Sequence, residues 1–150
     1  MVITFFGHST IHNSDSLTYQ LKKAIIDAIK TDDNVTFYCG GYGDFDDLCA
    51  RVCRSIKETH PHCEIVLVTP YITESQQRKM KELLERGIYD STLYPPLEKV
   101  PYRFAISRRN ERMADQADLI IAYVERTYGG ANKSLEYARR KKKRIINLTK

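Results

Sequence analysis

Short, continuously apolar runs alternate along the chain with longer segments in which apolar residues recur at helical spacing. The runs VITFF, VTFYC, EIVLVTPY and DLIIAYV each predict a strand that is buried on both faces; they span residues 2–6, 35–39, 64–71 and 118–124. A last strand is predicted over 144–148, and a shorter one over 91–94, where Pro95 and Pro96 stop it.

Between these runs the apolar positions indicate helices. Leu17, Leu21, Ile25 and Ile29 fall on one face of a helix that Ser14, Asp15 or Ser16 could cap. Further helices are predicted over 45–56, over 73–86, from Ala105 onward and after Gly130. Strands that alternate with helices imply a parallel sheet covered on both faces. We therefore expect an α/β fold: a single doubly wound Rossmann-like domain over 1–150, with a mostly parallel sheet of five or six strands and helices on both faces.

The bulk composition is that of an ordinary globular protein. The chain has 150 residues, of which 42% are hydrophobic and 29% charged. No apolar run approaches the roughly 20 residues that span a bilayer, and the first residues lack the features of a secretory signal. We expect a cytoplasmic protein with no membrane association.

Four cysteines, Cys39, Cys49, Cys53 and Cys63, lie near His60 and His62. Thiolates and imidazoles are the usual ligands of zinc, but the sequence has no CxxC pair. Buried, apolar cysteines are the interpretation that we prefer. We therefore predict no metal site and no cofactor.

Four polar stretches follow predicted strands and so fall on one edge of the sheet, where ligands of doubly wound folds bind. Glycines let backbone N–H groups approach an anion, and helix N-termini favour negative charge. Such loops therefore predict a site for a phosphate-bearing ligand, although a glycine turn can also serve only the backbone. The predicted ligand-binding residues of these stretches are Gly7, His8 and Ser9; Gly40, Gly41, Tyr42, Gly43 and Asp44; Thr69 and Pro70; and Gly129, Gly130 and Ala131.

The acidic residues of the second stretch count against a phosphate held directly there. Asp44, Asp46 and Asp47 lie at the start of the predicted helix. They could instead face a ribose hydroxyl or cap that helix. CGGYGD also matches neither GxGxxG nor a Walker loop, so the standard dinucleotide and P-loop assignments fail.

The segment SRRNERM adds cations near the start of a helix that leads into the DLIIAYV strand. Arg108 and Arg112 share a face, whereas Arg109 points about a hundred degrees away. An arginine that faces the edge could clamp a phosphate with two hydrogen bonds; an exposed, charged helix surface is the alternative. Arg108 and Asn110 are included in the predicted ligand site.

The stretch SRRNERMADQADLIIAYVERTYGGANKSLEYA resembles LOG-type phosphoribohydrolases, whose pattern is R-x-x-x-M, a strand, and P-G-G-x-G-T-x-x-E. The resemblance puts Arg109 at the catalytic arginine, Met113 at the methionine, and Glu136 at the catalytic glutamate. It implies the SLOG superfamily of Rossmann-like nucleotide-binding domains, which includes LOG enzymes, DNA-processing DprA/Smf proteins and uncharacterised bacterial branches. It also implies a homodimer.

The chain departs from this pattern at three positions. Tyr128 replaces the proline, and Asn132 and Lys133 replace the third glycine and the threonine. These changes remove phosphate-holding donors, although Lys133 could partly substitute as a cation, so Asn132 and Lys133 remain in the predicted site. GGANKSLEYA is also similar to the glutamate-bearing segment of nucleoside deoxyribosyltransferases.

Three hypotheses of function follow. The first is a nucleotide-binding enzyme that cleaves or transfers at the N-glycosidic bond, as a nucleoside monophosphate phosphoribohydrolase or a deoxyribosyltransferase-like enzyme, with Glu136 and Arg109 as catalytic residues. The second is a non-catalytic sensor of a nucleotide or of an ADP-ribose-type ligand. The third, a DprA-like module, would bind nucleic acid through the basic run RRKKKR at 139–144; that run could equally be the solvated end of a helix, and nucleic acid is not favoured.

Overall fold

The computed structural model describes residues 1–12, 15–30 and 34–149. Within these ranges the chain forms six strands, five α-helices and one 3-10 turn at Tyr102–Phe104. In chain order the elements are β1 (Val2–Gly7), α1 (Asp15–Ile29), β2 (Val35–Cys39), α2 (Asp44–Thr59), β3 (Cys63–Val68), α3 (Glu74–Glu85), β4 (Ser91–Leu93), α4 (Ala105–Gln116), β5 (Leu119–Tyr123), α5 (Gly130–Arg140) and β6 (Ile145–Asn147). Ser14, one of the predicted caps of α1, lies outside the described residues.

The six strands form one sheet in the order β4-β3-β2-β1-β5-β6, and every pairing is parallel. The chain builds the sheet outward from β1 to β4 and then returns to place β5 on the other side of β1. The predicted doubly wound α/β fold is thus confirmed. The reversal between β1 and β5 opens a crevice at the carboxyl edge of the sheet, where this topology places ligands.

One face of the sheet is covered by α1, α2 and α3. The α1 stripe Leu17, Leu21, Ile25 and Ile29 packs into the same core as Phe5, Phe37 and Phe45. Each fully buried aliphatic or aromatic side chain contributes about 1.5–3 kcal/mol by leaving water. This core fixes the strands whose ends carry the candidate site.

The other face is covered by α4 and α5. Met113 and Ala114 of α4 and Ala138 of α5 pack against Phe6 of β1 and Ile120 of β5. The two helices therefore sit over the strands that flank the reversal, and their N-terminal ends lie beside the crevice.

The third strand is shorter than the sequence predicts. It ends at Val68 rather than Tyr71, because the Thr69 hydroxyl donates to the Tyr71 carbonyl and accepts from its N–H, which turns the chain. On α3, Met80 is buried and Leu83 packs against the core, whereas Leu84 is exposed. No helix of the described ranges is long and apolar enough to cross a bilayer.

Candidate functional site

A crevice of about 240 Å³ lies at the carboxyl edge, between the loops that follow β1, β2 and β5 and the first turns of α4 and α5. Ten residues predicted from the sequence line it, namely Gly7, His8, Ser9, Tyr42, Arg109, Asn110, Met113, Gly129, Gly130 and Ala131. Seven further residues complete the lining: Phe5, Phe6, Asp46, Ile106, Arg126, Tyr128 and Ser134.

Arg109 forms the floor of the crevice and is only 3% exposed. Its Nη1 donates to the carbonyl oxygens of Gly40 and Val68, at 2.8 Å each, and its Nε donates to Asn110 Oδ1 at 2.8 Å. The guanidinium thus ties α4 to the ends of β2 and β3. A guanidinium has five N–H donors, and these bonds use only those of Nε and Nη1. The Nη2 group lies beside Gly40 and can donate to a ligand.

Asn110 continues this network across the two helices of the second face. Its Nδ2 donates to Ser134 Oγ of α5 at 3.1 Å. The Arg109–Asn110–Ser134 chain therefore fixes the wall that α4 and α5 share.

The first glycine loop, Gly40–Gly43, is closely packed, and the first N–H groups of the helix that follows it already have acceptors. A Cβ at Gly43 would lie 2.6 Å from the Ser9 backbone, and one at Gly41 would lie 2.6 Å from Leu67. At the start of α2, the Asp44 N–H donates to Ser9 O at 2.8 Å, and the Phe45 N–H points to His8 O at 3.4 Å. These glycines therefore serve the turn and its packing.

The second glycine pair, Gly129 and Gly130, is different. No described atom would lie within 4 Å of a Cβ added at either position. Gly129 is the N-cap residue of α5, and no side chain caps this helix. The first N–H groups of a helix have no carbonyl partner within it, so those of Gly130 and Ala131 are available at the crevice wall.

Asp46 is the carboxylate of the crevice. Its Oδ2 accepts from the Tyr42 N–H at 3.0 Å. Burial raises the pKa of Asp46 to about 6, against the opposing effects of this hydrogen bond and of the Arg109 charge. The side chain therefore changes protonation near neutral pH, within reach of a ligand.

His8 ties two loops of the crevice together. It is buried, and its Nε2 accepts from the Glu125 N–H at 2.9 Å. Burial, and secondarily the nearby Arg126 charge, lowers the pKa of His8. The imidazole is accordingly neutral, and its ring meets Tyr123 edge-on at 6.3 Å between ring centroids.

The remaining predicted residues lie outside the crevice lining, which contains none of Gly40, Gly41, Gly43, Asp44, Thr69, Pro70, Arg108, Asn132, Lys133 and Glu136. Thr69 is buried and accepts from Gln76 Nε2. Arg108 is exposed and lies 3.8 Å from Glu111. Asp44 accepts from the Ile11 N–H at the start of α2.

Glu136 is half-buried and bonded to Arg139, one turn further along α5. It lies two residues after Ser134, which puts it about 200° around the helix from the side chain that faces α4. The structure does not bring Glu136 and Arg109 together in the crevice.

Sequence reasoning omitted Arg126, Tyr128 and Ser134 from the site. Arg126 and Tyr128 belong to the loop after β5, so their position at a strand end was the available signal. Ser134 lies four residues after Gly130 and therefore shares its helix face. From the sequence, Tyr128 belongs to the stretch that follows the DLIIAYV strand and departs from the LOG-type pattern, but it is not among the predicted ligand-binding residues.

Several cations of the basic run 139–144 already have structural partners. Lys143 Nζ donates to the carbonyls of Asp115 and Ala117, at 2.9 and 3.2 Å, and so closes the C-terminal end of α4. Arg140 and Lys141 lie over the Tyr137 ring. Part of the run therefore stabilises the packing of the C-terminal end of α5 against the C-terminal end of α4.

The four cysteines are buried and free. Burial raises the pKa values of the Cys49 and Cys53 thiols well above the ordinary value of a thiol. Both side chains therefore remain uncharged in the core. Among the described residues no group of three metal-ligating side chains comes together.

Comparisons with known proteins agree with this architecture. No protein-family model matches the chain. UPF0398 protein BH1768 of Halalkalibacterium halodurans is 27% identical over 158 aligned positions, which cover 93% of this chain and 81% of that protein.

Two solved structures have the same fold at 12% identity. The X-ray structure of TM1055 matches with a TM-score of 0.58, and the match covers 97% of this chain and 72% of the TM1055 chain. DNA processing protein A from Helicobacter pylori, described as having a single-stranded DNA binding mode, matches with a TM-score of 0.62 over 97% of this chain. This chain spans 63% of the length of that protein. At this identity the likeness concerns the fold alone, and it agrees with the doubly wound α/β architecture that the sequence predicts.

Proposed function

We propose that this chain, a domain of SLOG-type fold, binds a nucleotide or a nucleotide-derived ligand in the crevice beside β1 and β5. The observation that carries the proposal is the uncapped N-terminus of α5 at Gly129, Gly130 and Ala131, which opens on the crevice. Backbone donors and the helix dipole together favour an anionic group such as a phosphate at this position.

The charges around the crevice support the same ligand. Arg126 and Arg109 line it, and His8 is neutral. The start of α2, by contrast, carries three acidic residues, and two of its first N–H groups already point to carbonyls of the loop after β1. An anion is therefore favoured at α5 and disfavoured at α2, although the N-cap residue of each helix is a glycine.

A thermal-shift screen against nucleoside mono-, di- and triphosphates, NAD and ADP-ribose tests the proposal. A ligand present at about 100 times its dissociation constant adds about 2.7 kcal/mol to the free energy of unfolding, which gives a clear rise in melting temperature. A panel without any shift would contradict nucleotide binding.

A matched pair of variants locates the site. Arg126 lies over the Tyr128 ring at 5.9 Å and lines the crevice, whereas Arg103 lies over the Phe104 ring at 4.7 Å and does not. We expect Arg126→Gln to weaken binding of the phosphate-bearing ligand and Arg103→Gln to leave it unchanged. Equal effects of the two variants would point to general surface charge rather than to the crevice.

A second candidate function is hydrolysis or transfer at the N-glycosidic bond of the bound nucleotide. Asp46, with its pKa of about 6, is favoured by its position in the crevice. Glu136 is favoured by the resemblance, but it would have to leave Arg139 in order to act. A carboxylate in either position would stabilise or attack the electron-poor anomeric carbon.

Release of free base from nucleoside monophosphates, followed by chromatography, separates these possibilities. If Asp46→Asn abolishes release and Glu136→Gln does not, the crevice carboxylate is the catalytic one; the reverse result would support the glutamate of the resemblance. Ligand binding without any release of base, in the unaltered protein, would identify a sensor.

A homodimer is proposed from the resemblance alone. Light scattering of the purified protein at several concentrations tests it, with a monomer mass of 17.4 kDa as the reference.

A further inference from the structure

Two tyrosines stand at the mouth of the crevice with most of their surface in water. Tyr42 is 65% exposed and Tyr128 is 68% exposed, and both line the crevice. The Tyr42 N–H donates to Asp46, and the Arg126 guanidinium lies over the Tyr128 ring. Among the described residues, neither hydroxyl is hydrogen-bonded and neither ring pairs with another aromatic ring. Their packing role in the domain is therefore small.

The strand order puts these rings on opposite sides of the crevice. Tyr42 follows β2 and Tyr128 follows β5, while β1 runs between these two strands. Neighbouring strands lie about 4.8 Å apart, so the roots of the two loops are about 9.6 Å apart.

Because both residues line the crevice, a planar group that enters it has an exposed tyrosine ring on each side. Aromatic rings stack on planar partners with centroids about 4.5–7 Å apart.

We infer that Tyr42 and Tyr128 clamp the base of the nucleotide between their rings, an inference that rests on the proposed function. The phosphate lies at the N-terminus of α5, whose N-cap residue, Gly129, directly follows Tyr128. One loop thus supplies both a stacking ring and the anion donors. Because every base has a π-face, the clamp selects an aromatic base over a bare sugar phosphate and discriminates only weakly among bases.

The test compares the binding of AMP, ribose 5-phosphate and inorganic phosphate by calorimetry. Tyr128→Ala and Tyr42→Ala should each weaken AMP binding about 5- to 150-fold, the range measured for loss of one stacking ring. Their affinity for ribose 5-phosphate should stay at the level of the unaltered protein. Tyr128→Phe keeps the ring and should retain AMP binding.

Tyr19 of α1 provides the matched control. It is 67% exposed, as much as Tyr128, but it lies outside the crevice, so Tyr19→Ala should change none of the three affinities. A second readout is the fluorescence of 2-aminopurine riboside monophosphate, which stacking quenches; quenching by the unaltered protein should be lost in Tyr128→Ala.

The outcomes separate the clamp from the proposed function. If AMP binds no more tightly than ribose 5-phosphate, and the tyrosine variants change neither affinity, the clamp is refuted while the anion site stands. If none of the three compounds binds and the nucleotide panel gives no thermal shift, both the clamp and the proposed function are refuted.

Discussion

Gly130 gives the sharpest test of where the anion binds. A Cβ at this position would meet no described atom within 4 Å, and the φ angle of Gly130 is not in the left-handed region. Neither packing nor backbone conformation therefore requires glycine here. A glycine that the fold does not need, at the first position of an uncapped helix beside a crevice, is explained by close approach of a ligand.

We predict that Gly130→Ala separates stability from binding. Alanine is a better helix former and restricts the unfolded chain, so the free energy of unfolding should stay constant or rise by up to about 1 kcal/mol. For a chain of this size that is a rise in melting temperature of roughly 2–4 °C. The added methyl group should meanwhile obstruct the N–H donors of the first turn.

Loss of a hydrogen bond to a charged group costs about 1.5–3 kcal/mol. Binding of a nucleoside monophosphate should therefore weaken about 10- to 150-fold. The corresponding nucleoside, which lacks the phosphate, should bind the variant and the unaltered protein equally. Urea denaturation and calorimetry measure the two quantities separately.

Gly40→Ala provides the contrasting control. Its Cβ would lie 2.9 Å from Asp46 Oδ2 and 3.3 Å from Arg109 Nη2, so overpacking should lower the free energy of unfolding by about 1–3 kcal/mol. The reasoning is refuted if Gly130→Ala destabilises the protein as much as Gly40→Ala does. It is equally refuted if Gly130→Ala binds the monophosphate as tightly as the unaltered protein.

Three further predictions concern the polar groups of the crevice. Arg109→Met leaves two buried carbonyls without their donor, and we expect urea denaturation to show a loss of about 2–5 kcal/mol; an unchanged unfolding midpoint would limit this arginine to ligand contact. Because the pKa of Asp46 is raised to about 6 in the folded protein, the folded state holds an extra proton between about pH 4 and 6. The contribution of Asp46 to stability should thus fall as pH rises through that window, and the urea midpoint of Asp46→Asn, relative to the unaltered protein, should rise over the same range. The pKa of His8 is lowered, and the folded imidazole accepts from the Glu125 N–H. The unfolded chain therefore takes up a proton at His8 at a higher pH than the folded protein does. The contribution of His8 to the free energy of unfolding should fall as pH drops below about 6.5. The urea midpoint of His8→Gln should depend less on pH between 7 and 5, and an equal dependence would contradict this account.

The order of strands and helices could be predicted because the dominant signal is local. A strand buried on both faces, such as β5, is apolar at every position, and the α1 stripe repeats at helical spacing. Such patterns reflect burial, which the sheet and its covering helices impose on each element separately. The boundary of β3 was less predictable, because a side-chain hydrogen bond of Thr69, rather than a change in hydropathy, ends the strand.

The two glycine loops show where local reasoning stops. Gly40–Gly43 and Gly129–Gly130 look alike in the sequence, since each follows a strand and begins a helix. What distinguishes them is the space around each backbone: the first loop packs on Ser9 and Leu67, whereas the second has open space. That difference depends on Ser9 and Leu67, which are more than twenty positions from the first loop, so no pattern within either loop contains it.

The carboxylates illustrate the same limit at the level of chemistry. Glu136 was predicted from its place in a motif, but its direction depends on which face α5 presents to the rest of the domain. That face carries the buried Ser134, Leu135 and Ala138, and Ser134 accepts from Asn110 of α4. In the sequence, Asp46 counted against a phosphate and was otherwise assigned to a ribose hydroxyl or to the cap of α2. In the fold it lines the crevice and accepts from the Tyr42 N–H, and burial raises its pKa even though this hydrogen bond and the Arg109 charge lower it. An acid with a pKa of about 6 becomes neutral at a higher pH than an ordinary carboxylate does, so its repulsion of a phosphate in the folded crevice is relieved below about pH 6.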